Sequence, residues 1–562
     1  MSAASNAETQ MVNVQIDDQW HQFPKGTRMI EACRQVGKFI PHYCYHPKLS
    51  SPGNCRMCLI EVGMPARPDS EGNVPRDADG HAVINWSPRP MISCANTVAE
   101  GMGIRTDSQL ATDCRKGVME FLLINHPLDC PICDQAGECL LQEFAVEYGN
   151  SGSRFLENKV KKPKNVQLGP RVTLDDERCI LCSRCIRFMD EIAGDDCLGF
   201  VDRGGYTSLT CHPGRELTSN YSLNTVDICP VGALTSTDFR FQMRVWFLKE
   251  TKSIDVNCGT GSNILIGSRE NRIHRITPRE NDHVNECWMP DSHRLNFHYV
   301  DSDQRLTAPR LASEDGPVDA TWREAYDRVA FALDKLEGSQ VAVIASARMT
   351  NEEALLAARF ARRLGAAELD VLPRPQRGDG FLISADGNPN TNGALLTGLT
   401  SEPGARLSAI ASKVRDGSIK ALFLLGEDAT DCGIDESHLA ALELLVQMAI
   451  LPTPSTKHAH VVLPSAAWAE KRGSMVNVNG RLQRLNCAVQ APGQARDDWE
   501  ILRDLAAIAA PQDERKHLIE DVFAELADSI PAFSGLSLSK IGDLGVQLDI
   551  QPAELPAVPA AA

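Results

Sequence analysis

The feature that most constrains this 562-residue chain is the placement of its cysteines. Fifteen of the 19 cysteines come before residue 230, and several of them form Cys-x2-Cys pairs. In a small secreted domain, such a density of cysteines would indicate disulfides. A large chain without a secretory signal is expected to use its thiols to bind metal. The sequence therefore predicts a metal-rich N-terminal part and a metal-poor remainder.

Composition narrows the class of protein further. The net charge is −17, which argues against a nucleic-acid partner, since such a partner requires a basic face. No apolar run approaches the roughly 18 to 20 residues that span a bilayer, and the first ten residues lack the pattern of a secretory signal. We therefore expect several soluble domains in a reducing compartment, with any membrane link made through partners.

The first group of cysteines follows a ferredoxin-like pattern. Residues 10–22 alternate apolar and polar side chains around Asp17 and Asp18, which predicts a hairpin, and a short helix ends at Gly37. A cysteine-rich loop and a distant fourth cysteine complete the layout of plant-type [2Fe–2S] ferredoxins, although the first ligand gap is ten residues here and four there. We call this group the Cys44 set, and its members are Cys44, Cys55, Cys58 and Cys94.

Three residues near the Cys44 set are alternatives that we do not favour. His42 and His46 flank Cys44 and would serve in a Rieske-like site, which needs two histidines in place of two cysteines. Four cysteines are already present, so histidine ligation is not expected. Cys33 has no cysteine at ligand spacing and is expected to pack as a small apolar residue.

The second group gathers four candidate ligands within fourteen residues. It follows a predicted helix over 107–124, with Asp107 as N-cap and Cys114 packed rather than ligating. A Cys3His zinc site is the alternative, but four ligands on one tight loop, with Gly137 free to adopt positive φ, favour iron–sulfur. A neutral imidazole ligand should raise the potential of a cluster. This His126 set consists of His126, Cys130, Cys133 and Cys139.

The third group begins with Cys-x2-Cys-x2-Cys and is completed far downstream by a cysteine followed by proline. Bacterial ferredoxins use C-x2-C-x2-C-x3-C-P, so this pattern indicates one [4Fe–4S] cluster whose last ligand comes from another point in the chain. Cys197 and Cys211 lie between and are the reserve candidates. This Cys179 set consists of Cys179, Cys182, Cys185 and Cys229.

After residue 246 the pattern changes to short strands with turns. Strands that alternate with helices from residue 340 onward predict an α/β domain with a parallel sheet. A hairpin is predicted to turn at Asn479–Gly480, and Asp498–Ala510 is predicted to be helical. The tail over 552–562 has a composition typical of disorder.

With three metal-binding groups in this order, the chain resembles the large iron–sulfur subunit of NADH:quinone oxidoreductase, respiratory complex I. The resemblance covers residues 10–300 closely and extends more loosely to 510. It implies a [2Fe–2S] cluster on the Cys44 set and one [4Fe–4S] cluster on each of the His126 and Cys179 sets. It also implies that this subunit has no bond-making active site of its own.

The resemblance further implies the path of the electrons and the partners. Flavin splits the electron pair of NADH into single electrons, which pass from the Cys44 set to the Cys179 set, then to the His126 set and on toward quinone. The implied partners are a flavin-bearing NADH-oxidising subunit, a small [2Fe–2S] subunit, a ferredoxin-like subunit with two [4Fe–4S] clusters, and the quinone-module subunits. The implied location is peripheral, on the cytoplasmic face of the bacterial inner membrane or the equivalent matrix side.

Some members of this family carry one further [4Fe–4S] cluster, with ligands in the pattern C-x2-C-x3-C…C. Only Cys258 fits that pattern here, because Asp255 and Ser262 occupy the first and third positions. The fourth position falls near Pro290, three residues from Cys287. We therefore expect no fourth cluster. The α/β part resembles molybdopterin-binding oxidoreductases but has lost the cysteine expected to bind molybdenum, so we expect no molybdopterin.

The predicted fold class is multidomain α+β and α/β, with an N-terminal plant-type ferredoxin (β-grasp) domain and a C-terminal molybdopterin-oxidoreductase-like α/β domain without cofactor. Two alternative functions stay open: the iron–sulfur subunit of an NAD-linked formate dehydrogenase or hydrogenase, and a zinc-bound interaction scaffold. The expected domains are a [2Fe–2S] domain at 10–97, [4Fe–4S] domains at 98–140 and 141–243, a degenerate [4Fe–4S] segment at 244–300, the α/β domain at 301–512, and a partly disordered extension at 513–562.

Overall fold

The computed structural model describes residues 10–68, 70–71, 73–314, 316–509 and 518–553. The chain forms two compact units, Met1–Trp246 and Phe247–Ala562. All three cysteine-rich sets lie in the first unit. The individual domain boundaries stay predictions.

The first unit opens with a mixed sheet in the order β2-β1-β6-β3-β4, with β5 paired to β3. The predicted hairpin is confirmed, and both turn residues, Asp17 and Asp18, have positive φ (45° and 67°), as a type I′ turn requires. Cys33 is fully buried in the core beneath this sheet, as expected. The strands are β1 (Met11–Ile16), β2 (Gln19–Pro24), β3 (Leu59–Pro65), β4 (Ile84–Trp86), β5 (Met91–Ile92) and β6 (Met102–Arg105).

The rest of the first unit consists of helices and two small sheets around the other cysteines. The sheets have the orders β11-β8-β7 and β10-β9. The remaining strands are β7 (Val166–Gln167), β8 (Val172–Leu174), β9 (Leu198–Val201), β10 (Ser208–Cys211) and β11 (Leu234–Ser236). The helices are α1 (Met29–Gln35), α2 (Gln109–Leu123), α3 (Leu140–Tyr148), α4 (Arg184–Glu191) and α5 (Asn224–Asp227).

The predicted cap of α2 is wrong by one residue. Ser108 is the N-cap, and its hydroxyl accepts a hydrogen bond from the amide of Ala111 at 3.3 Å. Asp107 instead forms an ion pair with Arg115 at 3.3 Å. Both residue types are good caps, so the sequence alone could not decide between them.

The second unit contains the predicted parallel sheet. Its seven strands have the order β16-β15-β21-β20-β19-β17-β18, and β21 to β18 run parallel. Every residue of β17 and β19 is buried, as expected for a sheet covered on both faces. The strands of this sheet are β15 (Arg310–Leu311), β16 (Val318–Asp319), β17 (Val341–Ala345), β18 (Glu368–Val371), β19 (Ala421–Leu425), β20 (Leu444–Ala449) and β21 (Val461–Pro464).

Two antiparallel sheets complete this unit. The predicted hairpin at Asn479–Gly480 is confirmed, with Gly480 at φ +77°. The remaining strands are β12 (Lys249–Ile254), β13 (Asn263–Arg269), β14 (Arg272–Pro278), β22 (Gly473–Val476), β23 (Arg481–Leu485) and β24 (Val546–Gln547). The helices are α6 (Asp291–Arg294), α7 (Trp322–Leu333), α8 (Asn351–Leu364), α9 (Thr391–Leu396), α10 (Leu407–Arg415), α11 (Glu436–Leu439), α12 (Asp498–Ala509) and α13 (Ile519–Ser529).

The C-terminal region is more structured than its composition suggested. Helix α13 was not predicted, yet its Phe523 is buried in the core that α8 and α12 share. Residue 510, the predicted end of α12, and most of the tail over 552–562 lie outside the described residues. Within the described part of the chain, no helix has both the length and the apolar character needed to cross a membrane.

Candidate metal centres

The four thiols of the Cys44 set lie together against the core beneath the N-terminal sheet. Cys44, Cys58 and Cys94 are buried, and Cys55 is partly exposed. The thiols are hydrogen-bonded in a row, from Cys55 to Cys44, from Cys44 to Cys94 and from Cys94 to Cys58. The bond from Cys94 holds the pKa of Cys58 below its ordinary value. Arg56, between Cys55 and Cys58, has φ +61°, which turns this loop tightly.

The two histidines that flank Cys44 lie beside this set, and their exclusion as ligands stays a prediction. The Nδ1 atom of His42 lies 2.8 Å from the carbonyl oxygen of Ile40. Burial lowers the pKa of His46 to about 4, and the charges of Arg184 and Arg187 add to the effect. His46 is therefore uncharged near neutral pH beside these two guanidinium groups.

The Cys179 set surrounds a single cavity. All four of its cysteines line that cavity, together with apolar side chains such as Ile180, Phe200 and Leu209. Leu181 and Ser183 have positive φ (56° and 61°), and this strained path lets closely spaced cysteines face the same side. The thiol of Cys179 accepts a hydrogen bond from the amide of Leu181 at 3.4 Å.

The Cys229 side of this cavity is built from backbone amides. Burial raises the pKa of Cys229, and the backbone amides of Val231, Leu234 and Ala233 oppose that shift by favouring the thiolate. Such donors are the groups that stabilise the charged sulfur of a metal ligand. In the thiol form the Sγ of Cys229 donates to the carbonyl oxygen of Val231 at 3.0 Å. The reserve candidates Cys197 and Cys211 lie at the β9–β10 hairpin instead.

The His126 set lies on a tight loop that leads into α3. Cys139 is the N-cap residue of α3, and Gly137 has φ +92°, as the sequence predicted. Cys133 and Cys139 are buried, whereas Cys130 is exposed. Burial lowers the pKa of His126 to about 4, helped by the charge of Arg178. The imidazole is therefore neutral at physiological pH, which is the form that binds metal.

The Cys229–Pro230 element also supports the His126 set. The carbonyl oxygen of Pro230 accepts a hydrogen bond from the amide of Leu140 at 3.1 Å. A Cβ added to Gly232 would lie 2.2 Å from the Cys133 sulfur. Burial raises the pKa of Cys139 to about 11, and the charge of Cys229 adds to this rise. The chain segment that closes the Cys179 set is therefore packed directly against the His126 set.

Helix α4 connects the Cys179 set to the Cys44 set. Its first residue, Arg184, donates to the carbonyl of Ile228 at 3.1 Å and to the carbonyl of Tyr45. Arg187 donates to the carbonyls of Cys44 and Ser50. Arg184 is buried, and the thiols that affect its pKa belong to both sets. The Cys179 set is thus adjacent to both of the other sets, and Tyr43, beside Cys44, also packs against Phe144 of α3 with ring centroids 5.2 Å apart.

The spread of the sulfur atoms bears on the zinc alternative. A tetrahedral zinc ion holds its ligand atoms about 3.3–3.8 Å apart, as its bond lengths require. Among the described residues, one group has three such ligand atoms (from His, Cys, Asp or Glu) within 4.8 Å of one another. It consists of Asp255, Cys258 and His293. The ligand atoms of the three predicted sets do not meet this criterion together, so the structure does not present any of them as a preformed zinc tetrahedron.

The sequence is similar over most of its length to those of known respiratory proteins. The NADH-quinone oxidoreductase G subunit of Rickettsia bellii is 34% identical over 504 residues, covering 87% of this chain and 70% of the relative. The chain belongs to this family of NADH-quinone oxidoreductase subunits. The Rickettsia conorii member is also 34% identical, and the match covers 90% of this chain and 73% of the relative. The Rickettsia felis member is 38% identical, and the match covers 73% of this chain and 59% of the relative.

Family models match five stretches of this NADH-quinone oxidoreductase subunit. They are the 2Fe-2S iron-sulfur cluster binding domain (9–109), the NADH-ubiquinone oxidoreductase-G iron-sulfur binding region (115–154), the ferredoxin-like domain of NADH-quinone oxidoreductase subunit 3 (169–235), an NDSU1/NuoG-like 4Fe-4S domain (248–298) and molybdopterin oxidoreductase (380–508). The predicted family and fold class are confirmed. The individual ligands and the number of clusters stay predictions.

One solved structure with partial similarity is the NAD+-reducing [NiFe]-hydrogenase in the H2-reduced state. The match has 27% identity and a TM-score of 0.34, and it covers 42% of this chain and 91% of the hydrogenase chain.

The structure also brings together residues that sequence reasoning missed. The sequence placed a fourth remnant ligand near Pro290, with Cys287 as the nearest cysteine. Instead, Nδ1 of His293 lies 2.7 Å from Oδ2 of Asp255, and Cys258 lies beside these two residues. A histidine three residues beyond the expected position was the available signal, but only the fold shows that α6 directs it back to Cys258.

Proposed function

We propose that this electron-transfer subunit of NADH:quinone oxidoreductase relays single electrons through one [2Fe–2S] and two [4Fe–4S] clusters. The observation that carries the proposal is the contiguity of the three sets. Four neighbouring thiols in the Cys44 set, four thiols around one cavity, and three thiols with a neutral histidine match the ligand patterns of these clusters. When bound, the clusters supply one-electron redox chemistry.

The protein's own contribution is to bury, connect and tune these sites. Arg184 fixes α4 to the carbonyls of Tyr45 and Ile228, so the first two sets are held at a constant separation. Pro230 and Gly232 do the same for the second and third sets. Apolar side chains line the cavity of the Cys179 set, while Cys179 and Cys229 stay partly exposed.

The two ends of the path are the places where partners are proposed to dock. Cys130 is exposed, and Leu128 and Ile132 beside it are 89% and 61% exposed. An apolar surface around an exposed metal ligand is typical of an interaction site. We assign this surface to the ferredoxin-like two-cluster subunit, and the Cys44 end to the flavin-bearing NADH-oxidising subunit and the small [2Fe–2S] subunit. The proposed location is peripheral, on the cytoplasmic face of the membrane. The quinone-module subunits are proposed to lie beyond the His126 end of the path, where electrons leave.

The second unit is proposed to hold no molybdopterin. A cavity of about 310 Å³ lies at the carboxyl ends of its parallel strands, where α/β proteins usually bind ligands. The ion pair between Arg374 and Glu427, at 2.5 Å, contributes to its lining. With a charged pair across this space and no molybdenum-binding cysteine expected, a scaffolding role is favoured over the formate dehydrogenase alternative.

The test is an assay of iron and acid-labile sulfide on the purified full-length chain, with EPR spectra of the reduced protein. We expect about ten iron atoms per chain, from one two-iron and two four-iron clusters. Cys58→Ser should remove the [2Fe–2S] signal alone, whereas Cys33→Ser, at a buried cysteine outside the sets, should change no signal. Zinc without sulfide would overturn the proposal.

A further inference from the structure

The segment matched by a 4Fe-4S domain does not fit a [4Fe–4S] cluster in this chain. Such clusters are held by four ligands, ordinarily cysteine thiolates. Across residues 248–298 the structure gathers only one thiol, that of Cys258, with Asp255 and His293. The disagreement raises the question of what this different donor set binds.

The three residues come from the ends of different elements. Asp255 follows β12, Cys258 lies in the turn before β13, and His293 is on α6. All three are buried, and their ligand atoms lie within 4.8 Å of one another. Asp255 and His293 form a buried ion pair, and the Cys258 thiol beside them has its sulfur 3.7 Å from the carbonyl oxygen of Leu382, so a metal ion would bind in place of these contacts.

The carboxylate is oriented by hydrogen bonds that leave one of its oxygens for the site. The backbone amide and the side-chain amide of Asn257 donate to Oδ1 of Asp255 at 3.1 and 2.6 Å. Oδ2 therefore faces Nδ1 of His293, 2.7 Å away. Outer hydrogen bonds that fix a ligand in this way are typical of metal centres.

We propose that Asp255, Cys258 and His293 bind one Zn²⁺ ion, through a carboxylate oxygen, a thiolate sulfur and an imidazole nitrogen. A mixed oxygen, sulfur and nitrogen set suits Zn²⁺, and three protein ligands leave a fourth position for water. The ionised carboxylate and thiolate neutralise the two charges of the ion, so the buried site carries no net charge. Widening the 2.7 Å contact by about 0.6 Å gives the ligand separation of a tetrahedral site.

The role of this ion is to cross-link the second unit. It joins the turn between β12 and β13 to α6, which are more than thirty residues apart in sequence. The inference is independent of the relay, since it concerns zinc in the second unit rather than iron in the first.

The experiment uses the full-length chain with its clusters, and it measures zinc by elemental analysis and zinc-edge X-ray absorption. We expect about one zinc per chain, bound to one sulfur at about 2.3 Å and to nitrogen or oxygen at about 2.0–2.2 Å. Cys258→Ser and His293→Gln should each lose the zinc. Cys432→Ser, which changes another buried cysteine of the same unit, should keep it. Circular dichroism and thermal unfolding of each variant show whether its second unit is folded.

Several results would overturn the proposal. A chain that stays free of zinc after exposure to an equimolar amount would leave Asp255 and His293 as a simple ion pair. A zinc shell of three or four sulfurs would place the ion in a cysteine-rich set instead. About fourteen iron atoms per chain would indicate a fourth cluster. The X-ray absorption of the unaltered chain decides among these even if a variant fails to fold.

Discussion

Replacing Arg184 should change the redox potentials of two clusters at once. Its guanidinium group bonds to the carbonyls of Tyr45 and Ile228, which are neighbours in sequence of Cys44 and Cys229. The positive charge therefore lies one residue away from a ligand of each set. Arg184→Met removes this charge, whereas Arg184→Lys retains it and alters only the hydrogen-bonding geometry.

The size of the effect follows from Coulomb's law. A unit charge acting over about 7 Å at an effective dielectric constant of 20 contributes ~2.4 kcal/mol. For a one-electron couple, 59 mV corresponds to a tenfold change in the equilibrium constant, so this energy is about 100 mV. A positive charge favours the reduced, more negative cluster. Arg184→Met should therefore lower both potentials by roughly this amount, and Arg184→Lys by much less.

The assay is an EPR-monitored redox titration of the full-length protein, with iron content measured in parallel. Each lost hydrogen bond from the charged group costs about 1.5–3 kcal/mol, so intact clusters must be demonstrated first. Unchanged potentials in an Arg184→Met protein with full iron content would refute the position assigned to this charge. A shift in the redox potential of only one cluster would show that the charge of Arg184 acts on that cluster alone.

Three further perturbations test other parts of the relay. His126→Cys should keep its cluster but lower the potential, because a thiolate adds a negative charge; full iron content with an unchanged titration would exclude His126 as a ligand. Gly232→Ala should selectively deplete iron from the same cluster, since the new Cβ would lie 2.2 Å from the Cys133 sulfur and overpacking costs about 1–3 kcal/mol. Gly117→Ala is the control, because its added Cβ would have no heavy atom within 4 Å apart from its chain neighbours and the backbone of its own helix. Equal loss of iron in both variants would contradict this account. Leu128→Glu should weaken binding of the ferredoxin-like subunit in a pull-down assay without changing the EPR spectrum, and unaltered binding would place the exit elsewhere.

Local patterns were sufficient to predict much of this molecule. The alternation around Asp17–Asp18, the apolar runs of β17 and β19, and the Asn479–Gly480 turn each specify one element through short-range rules. The cysteine spacings likewise specify candidate ligands, because chelation imposes short intervals on a loop. Helix α13 was missed, since its amphipathic pattern follows a polar stretch and its stability comes from packing on α8.

Long-range contacts were beyond such rules. Nothing local to Arg184 indicates that its side chain reaches Tyr45, 139 residues earlier in the chain. The pairing of His293 with Asp255 likewise depends on how α6 packs beside β14. Both depend on tertiary placement, which the spacing of residues along a single sequence does not encode.

The direction of the relay stays a prediction from the resemblance, and contacts between the sets bear on it. Along the chain the His126 set lies between the other two, but in the fold the Cys179 set contacts both, because the carbonyl of Pro230 accepts from Leu140 at the start of α3 while Arg187 of α4 donates to the carbonyl of Cys44. Apolar side chains line the cavity of the Cys179 set, but Cys179 and Cys229 are partly exposed, as Cys55 is, whereas Cys130 is exposed. Exposure alone therefore does not separate the ends of the proposed path from its middle, and the order of the sets is tested by the Arg184 and His126 variants.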